Sequence, residues 1–234
     1  MNPKISICAQ LSLAVYSEVI PDGFVCDSVQ KIECQDTDTF GMACITANEV
    51  YFVFQGSESR SDWLNNFKII RKEFHGIKAH KGFAEAAQSV LADVVSIIAA
   101  NQGKDIVITG HSLGGAIAAL IAVALRPQQV ELITFGQPRV ASSRQLRLAL
   151  YGEYIRVVNG SDVVPRKPWL GYSHAGTCAY ITNGGQILID PSEFLMFRDR
   201  LVTLIQRGSD HTMSHYVAEI GRISANVKQK NSFH

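Results

Sequence analysis

Hydrophobic and polar residues follow two different patterns along the chain, and the pattern changes near residue 80. In the first part, apolar residues at helical spacing in Ile5–Ser17 precede runs that are rich in β-branched and aromatic residues. These runs are Ser28–Asp36, Phe40–Thr46 and Val50–Phe54. Ala47, Asn48 and Glu49 join the last two runs, and this is a hairpin length. The pattern therefore predicts an N-terminal helix followed by an antiparallel sheet edge.

In the second part, strand-like and helix-like segments alternate. Apolar residues recur every three or four positions from Gly82 to Ala100, which indicates a long amphipathic helix. The segments that follow are strands at Asp105–Thr109, Val130–Phe135 and Tyr154–Val158, helices after Gly110–Gly115 and near Ser143–Leu150, a hairpin around Asn183-Gly184-Gly185 that leads into a Gln186–Ile189 strand, and helices near Ser192–Gln206 and Thr212–Ser224. Such alternation predicts one α/β domain over residues 1–234, with a mostly parallel central sheet and helices on its faces.

Composition narrows the class of protein. The chain has 234 residues, of which 47% are hydrophobic, and a formal net charge of +1, so intrinsic disorder is excluded and no charge excess points to nucleic acid. The five cysteines show no zinc spacing, so we expect reduced, mostly buried thiols and no metal. No signal peptide is convincing at the start, and no run approaches the roughly 20 apolar residues of a membrane span. We expect a protein that stays in the cytoplasm or leaves the cell without a cleaved leader.

The strongest chemical signal is a G-x-S-x-G motif at Gly110-His111-Ser112-Leu113-Gly114, between a predicted buried strand and a predicted helix. A sharp strand-to-helix turn holds the serine at the top of the sheet, and the flanking glycines allow close backbone packing. The helix N-terminus there favours a developing oxyanion. The motif therefore predicts that Ser112 is a nucleophile.

A serine nucleophile in this architecture requires an acid and then a base further along the chain. For the acid, Asp162 follows the predicted strand Tyr154–Val158, and Asp190 is the second choice. For the base, the candidates are His174, His211 and His215. We favour His211, because it lies before a predicted helix, where a loop or first-turn position lets it reach over the sheet edge. No cofactor is required by this mechanism.

Further motifs accompany the G-x-S-x-G turn. They are Phe54-Gln55-Gly56-Ser57 with Asp62-Trp63-Leu64, His80-Lys81-Gly82-Phe83, Gly110 to Ala116, Thr134 to Val140, Asn159 to Pro165, and Asp210 to Met213 with Tyr216. In this combination the chain resembles the class 3 lipase family, the fungal-type triacylglycerol lipases and their bacterial and plant relatives, and its Asp210-to-Tyr216 ending is similar to that of bacterial members. Gln55 departs from the family pattern, which has arginine there.

The resemblance implies an α/β-hydrolase fold and a set of site residues. Ser112, Asp162 and His211 are the implied triad, while Ser57 and the Leu113 N–H are the implied oxyanion hole. The segment from Ser57 to Gly76 is the implied lid, with Trp63, Leu64 and Phe67 as candidate substrate contacts. Trp169, beside the acid loop, is a further candidate contact, and plain packing is the alternative interpretation of its segment. A surface helix that stays docked on the core is the alternative interpretation of the lid segment.

The implied activity is hydrolysis of carboxylic esters of lipids, with transient contact to a lipid or membrane interface and no nucleic-acid partner. A phospholipase A1-type effector and a short-chain or feruloyl esterase share every catalytic residue and remain alternatives. A lipase-like binding or signalling protein is the alternative outside the enzymes, although the intact Ser112, Asp162 and His211 argue against it.

Overall fold

A mixed β-sheet organises the chain in the computed structural model, which describes residues 2–57, 70–150, 152–206 and 211–231. The strands in those ranges are β1 (Ser28–Cys34), β2 (Thr39–Ile45), β3 (Glu49–Phe54), β4 (Arg71–Phe74), β5 (Ile77–His80), β6 (Asp105–His111), β7 (Glu131–Phe135), β8 (Tyr154–Asn159), β9 (Thr177–Ile181) and β10 (Ile187–Ile189). Within the described residues, eight of them form one sheet in the order β1-β2-β3-β6-β7-β8-β9-β10, and β4 pairs separately with β5.

Strand direction divides this sheet into two edges and a centre. Strands β1, β2 and β3 are antiparallel, β3 and β6 to β9 are parallel, and β10 returns antiparallel to β9. The predicted antiparallel N-terminal edge, parallel centre and late hairpin are therefore confirmed. In the register, Phe54 lies beside Gly110, and His111 lies beside Phe135. The loops that follow β3, β6 and β7 consequently leave the sheet at the same level.

Helices cover both faces of the sheet. They are α1 (Lys4–Ala14), α2 (Lys81–Ala100), α3 (Leu113–Ala124), α4 (Ser143–Ala149), α5 (Glu193–Gln206) and α6 (Met213–Asn231). One apolar cluster joins α2 and α3 to one face of the sheet, and a second joins α1 and α6 to the other. Since α1 and α6 come from the two ends of the sequence, the second face is assembled only when the whole chain folds.

Helix α2 is long and apolar enough to cross a membrane by length and composition, with a mean hydropathy of 1.5 over 18 residues. Charged residues interrupt it, however, and its apolar stripe, which includes Phe83, Val90 and Val94, is buried against the fold. Burial of one stripe is what an amphipathic core helix shows. We therefore assign α2 to the core.

The hairpin of β4 and β5 is an element that the sequence pattern does not predict. Phe74, Ile77 and Ala79 are its buried apolar residues. The turn between Phe74 and Ile77 has positive φ at His75 and Gly76, 43° and 80°. Both values suit a two-residue hairpin turn. Because Arg71, Lys72 and Glu73 are exposed, this short strand carries too little alternation for a sequence-based prediction.

The cysteines are all free thiols. Cys8, Cys44 and Cys178 are buried, and burial raises the pKa of each thiol, that of Cys44 to about 12. A thiol with a raised pKa holds its proton and is a poor nucleophile at neutral pH. We therefore assign these three cysteines a packing role in the protein interior.

Candidate active site

Ser112 occupies a strained turn between β6 and α3. Its backbone has φ 57° and ψ −123°, a conformation that L residues rarely adopt and that such turns impose. The neighbouring glycines are required by space: a Cβ at Gly114 would lie 2.0 Å from the carbonyl oxygen of Phe54, and one at Gly110 would lie 2.5 Å from the carbonyl carbon of Gly114. The absence of side chains at these glycines thus allows α3 to pack closely against the sheet. Ser112 lies in the turn between the two.

The peptide groups of Ser112 are held by strand β7 on one side and by helix α3 on the other. Its N–H donates to the carbonyl oxygen of Phe135 at 2.9 Å, and its carbonyl accepts from the N–H of Ala116 at 3.2 Å. The residue is 4% exposed. Ser112 therefore lies at the N-terminus of α3, where the helix dipole favours negative charge.

Asp162 and His211, the predicted acid and base of the triad, are in direct contact in the fold. The Nδ1 of His211 lies 2.6 Å from Oδ2 of Asp162, and both side chains are almost fully buried. The other carboxylate oxygen, Oδ1, accepts from the N–H of Val164 at 2.8 Å. A carboxylate bound to Nδ1 fixes the histidine tautomer in which Nε2 is free to accept a proton.

Tyr216 also binds the Asp162 carboxylate, a role that the sequence does not predict. Its hydroxyl donates to Oδ2 of Asp162 at 2.7 Å and accepts from the N–H of Asn159 at 3.0 Å. Burial raises the pKa of Tyr216 well above its usual value, and the charge of Asp162 raises it further. The raised pKa favours the protonated hydroxyl, which donates its hydrogen bond to the Asp162 carboxylate.

Gly136, directly after β7, lets the histidine and the acid meet beside the nucleophile turn. It has φ 56°, and a Cβ there would lie 2.8 Å from both Oδ2 of Asp162 and Cε1 of His211. On the nucleophile side, the rings of His111 and His211 lie 4.5 Å apart, centroid to centroid. The Nε2 of His211 is buried without a hydrogen-bond partner among the described residues. The structure thus brings the base beside the residue that precedes Ser112.

The alternative candidates have other partners. His174 Nε2 bonds the carbonyl oxygen of Pro165 at 2.6 Å, and His215 Nε2 lies 3.8 Å from Oε1 of Glu219. Asp190 accepts a hydrogen bond from the N–H of Cys178 at 2.7 Å. These contacts give each of the three side chains a local structural role. Across the part of the chain that the structure describes, no group of three or more His, Cys, Asp or Glu side chains could hold a metal ion.

Comparison with known proteins places the chain in a family of lipases, and the matched residues include Ser112 and Asp162. A family model described as lipase (class 3) matches residues 51–171, more than half of the 234 residues. The chain belongs to the class 3 lipases. Its relatives include the secreted mono- and diacylglycerol lipase 1 of Fusarium solani, 34% identical over 59% of this chain, and the lipase of Rhizomucor miehei, 31% identical over 68% of this chain.

These matches cover about half of the relatives' sequences but most of a solved structure. The two alignments cover 45% and 51% of those proteins, so the chain spans about half the length of the curated relatives it matches. A solved triacylglycerol lipase, whose catalytic centre is a serine protease triad, superimposes with a TM-score of 0.68 at 26% identity. That superposition covers 81% of this chain and 84% of the other. The α/β-hydrolase fold of the class 3 lipases is thereby shown.

The residues that the family resemblance implies for the oxyanion hole of a class 3 lipase lie in the loop after β3 and at the start of α3. Ser57 follows β3, and Leu113 is the first residue of α3. A Cβ at Gly56 would lie 3.2 Å from the Cβ of Ser112, so the loop that carries Ser57 adjoins the nucleophile. The role of Ser57 and Leu113 as donors stays a prediction. Gln55, the departure from the family pattern, has its N–H bound to the carbonyl oxygen of Phe40 at 2.9 Å.

The candidate lid of 57–76 falls mainly outside the described residues. Trp63, Leu64 and Phe67 lie in that undescribed part, 58–69, while the last residues of the segment belong to the hairpin of β4 and β5. Trp169 is described and is 71% exposed, with the Lys167 Nζ 5.5 Å from the centroid of its ring. Lid movement and substrate contact by these residues therefore stay predictions.

In this class 3 lipase, the Tyr216→Phe variant tests whether the Tyr216 hydroxyl positions the Asp162 carboxylate. The change removes one donor to Asp162 and the acceptor of the Asn159 N–H, so we expect turnover to fall by about 3- to 10-fold and Tm by about 3–6 °C. Ester hydrolysis and thermal unfolding measure the two effects. Unchanged turnover with the expected loss in Tm would contradict a role in positioning the acid and leave Tyr216 a structural residue.

Proposed function

We propose that the chain is a serine hydrolase that cleaves carboxylic esters of lipids, acylglycerols above all, through an acyl-enzyme intermediate. The single observation that carries the proposal is Ser112 in its positive-φ turn between β6 and α3, beside a buried His211 that is bound to Asp162. Membership of the class 3 lipases supports it. The relatives named above are lipases, which extends the support to lipid esters.

In the proposed mechanism, Nε2 of His211 takes the proton of the Ser112 hydroxyl while Oγ attacks the ester carbonyl carbon. The His211 imidazolium that forms is stabilised by Asp162, which accepts from Nδ1 and is itself held by Tyr216 and Val164. The imidazolium then protonates the leaving alkoxide, and the acyl group remains on Ser112. A water molecule attacks that acyl-enzyme in the same way and releases the fatty acid.

Negative charge develops on the carbonyl oxygen in both steps. The donors proposed for it are the N–H and hydroxyl of Ser57 and the N–H of Leu113. Leu113 follows Ser112 at the N-terminus of α3, and Ser57 follows Gly56, where an added Cβ would lie 3.2 Å from the Cβ of Ser112. Donors fixed in advance are effective because they need no rearrangement when the charge forms, and each is typically worth about 10²–10³ in rate.

Contact with a lipid surface is part of the proposal. The segment after Asp162 exposes three apolar side chains, Val163 by 38%, Trp169 by 71% and Leu170 by 69%. Lys167 lies in the same segment. Apolar side chains with a neighbouring cation suit an interface that combines acyl chains with anionic headgroups. Secretion, as in the relative from Fusarium solani, is compatible with such a substrate.

Hydrolysis of a matched panel of esters tests the proposal. The panel comprises p-nitrophenyl esters of short and long acyl chains, a diacylglycerol, a phosphatidylcholine, a phosphatidylglycerol and methyl ferulate. In parallel, a fluorophosphonate probe is reacted with native and heat-denatured protein, and the modified peptide is mapped by mass spectrometry. We expect turnover that is highest on the acylglycerol or long-chain ester, and labelling of Ser112 in the native protein only.

Other outcomes of the panel assign the alternatives. Preference for phospholipid would select the phospholipase, and preference for methyl ferulate or short esters would select the esterase. Absence of both turnover and probe labelling would overturn the proposed function and leave a lipase-like binding protein.

A further inference from the structure

Tyr16 connects the two loops that meet at the proposed oxyanion hole. It lies just beyond the end of α1, far from the catalytic motifs in sequence. Its hydroxyl accepts from the N–H of Gly56 at 3.1 Å and shares a hydrogen bond with Nδ1 of His111 at 3.1 Å. Gly56 directly precedes Ser57, and His111 directly precedes Ser112. One hydroxyl group therefore binds the residue before the proposed donor and the residue before the nucleophile.

The fit around this hydroxyl is close. A Cβ placed on Gly56 would lie 2.5 Å from the Tyr16 hydroxyl oxygen and 2.8 Å from the carbonyl oxygen of His111. The Gly56 peptide is thus confined between the hydroxyl and the nucleophile turn. The N–H of Ser57 lies in the next peptide plane, beyond the φ and ψ of Gly56, so its direction depends on how Gly56 is held. The close space around Gly56 and its bond to Tyr16 restrict that conformation.

The same hydroxyl also contacts the base indirectly. The His111 ring that it binds lies 4.5 Å from the ring of His211, and the Tyr16 ring meets the His111 ring edge-on at 6.3 Å. His111 is 1% exposed, so this ring has little room to move. Tyr16 consequently influences both the oxyanion loop and the surface against which the catalytic base packs.

We infer that Tyr16 is a positioning residue for the oxyanion hole, acting through the peptide of Gly56 and the ring of His111. It lies outside the residues 51–171 that the family model matches, so the motifs of the family do not assign it. Donors of an oxyanion hole act only when they point at the place where the charge develops, about 2.7–3.1 Å away. The inference rests on the proposed function, since it concerns how that reaction is accelerated.

Tyr16→Phe, with Tyr51→Phe as the matched control, tests the inference. Tyr51 belongs to the same apolar cluster, and its hydroxyl donates to Oε2 of Glu49 at 2.6 Å, at the opposite end of β3. Each change deletes one hydroxyl that has a hydrogen bond and retains the ring. The measurements are kcat and KM for p-nitrophenyl butyrate, the inhibition constant of an alkyl boronic acid, whose tetrahedral adduct resembles the intermediate, and thermal unfolding, with all assays run well below the lower Tm.

We expect Tyr16→Phe to lower kcat about tenfold, less than the 10²–10³ of deleting a donor outright, with KM within about twofold of wild type. The boronic acid should bind more weakly by the same factor as kcat falls, because both depend on the oxyanion donors. Tyr51→Phe should leave kcat and inhibition unchanged while it lowers Tm to a similar extent.

Three results would overturn the inference. In the first, kcat of Tyr16→Phe stays within twofold of wild type. In the second, kcat falls while the affinity for the boronic acid does not change, which would place the effect outside the oxyanion hole. In the third, both tyrosine variants lose the same activity, which would mark a general effect of instability. A wild-type protein that neither turns over the ester nor binds the boronic acid would instead overturn the proposed function itself, together with the inference that rests on it.

Discussion

Ser112→Ala should lower the turnover of any ester substrate on the order of 10⁵-fold, because the acyl group then has no oxygen to bind. The change removes only the hydroxyl. Alanine retains the Cβ and accepts the φ of 57° no worse than serine does, so the fold should persist. Turnover of purified wild type and variant on the best ester of the panel, with circular dichroism and thermal unfolding of both, measures the two parts of this expectation.

Ser12→Ala is the matched control for this change. Ser12 is fully buried, and its hydroxyl lies 3.1 Å from that of Thr109 on β6, the strand that leads to the nucleophile turn. Loss of this hydrogen bond should reduce stability by about 1 kcal/mol and leave turnover near that of wild type. A Ser112→Ala protein that kept a substantial part of wild-type turnover would contradict the assignment of the nucleophile, whatever the control showed.

The nucleophile turn could be predicted because all its determinants are local. A buried strand, two flanking glycines and an apolar helix lie within about 20 residues of Ser112, and the close approaches at Gly110 and Gly114 show why the motif needs these residues. The same holds for the parallel centre of the sheet, where each strand is a short apolar run. Local patterns therefore specify both the elements and their alternation.

The pairing of Asp162 with His211 depends on contacts between distant parts of the chain. The two residues are 49 positions apart, and several histidines and aspartates follow Ser112 in the sequence. Chain order and strand ends favoured these two, but only the fold shows His174 bound to Pro165 and Asp190 bound to Cys178. The sequence thus ranks the candidates, and the tertiary structure shows the contacts that distinguish them.

Tyr16 and Tyr216 illustrate what the sequence pattern does not show. Both act through a single hydroxyl at the end of a ring that otherwise packs in an apolar cluster. In the apolar pattern, such a tyrosine has the same signature as any other core aromatic residue, because apolar periodicity records the ring and not the partner of the hydroxyl. The family motif includes Tyr216 but does not assign a role to its hydroxyl. Helices α1 and α6, which lie against one face of the sheet, carry these two hydroxyls to the site from opposite ends of the chain.

His211→Ala should lower turnover by about 10⁴- to 10⁶-fold, nearly as much as the loss of the nucleophile, because base and nucleophile act as one unit. Asp162 keeps the hydroxyl of Tyr216 and the N–H of Val164 as donors after the change, so its buried carboxylate is not left unsatisfied. The fold should therefore survive, with a modest fall in Tm. Turnover and thermal unfolding of the purified variant measure both.

His215→Ala is the matched control, because it tests whether another histidine near His211 could be the base. His215 lies four residues from His211, but it neighbours Glu219 rather than Asp162. Its removal should leave turnover within about twofold of wild type, since its pair with Glu219 is a weak i,i+4 pair that does not include Asp162. Activity that is lost in His215→Ala and kept in His211→Ala would reverse the assignment of the base. Loss in His211→Ala alone would mean that the buried bond to Asp162, and not proximity in sequence, selects the histidine that takes the serine proton.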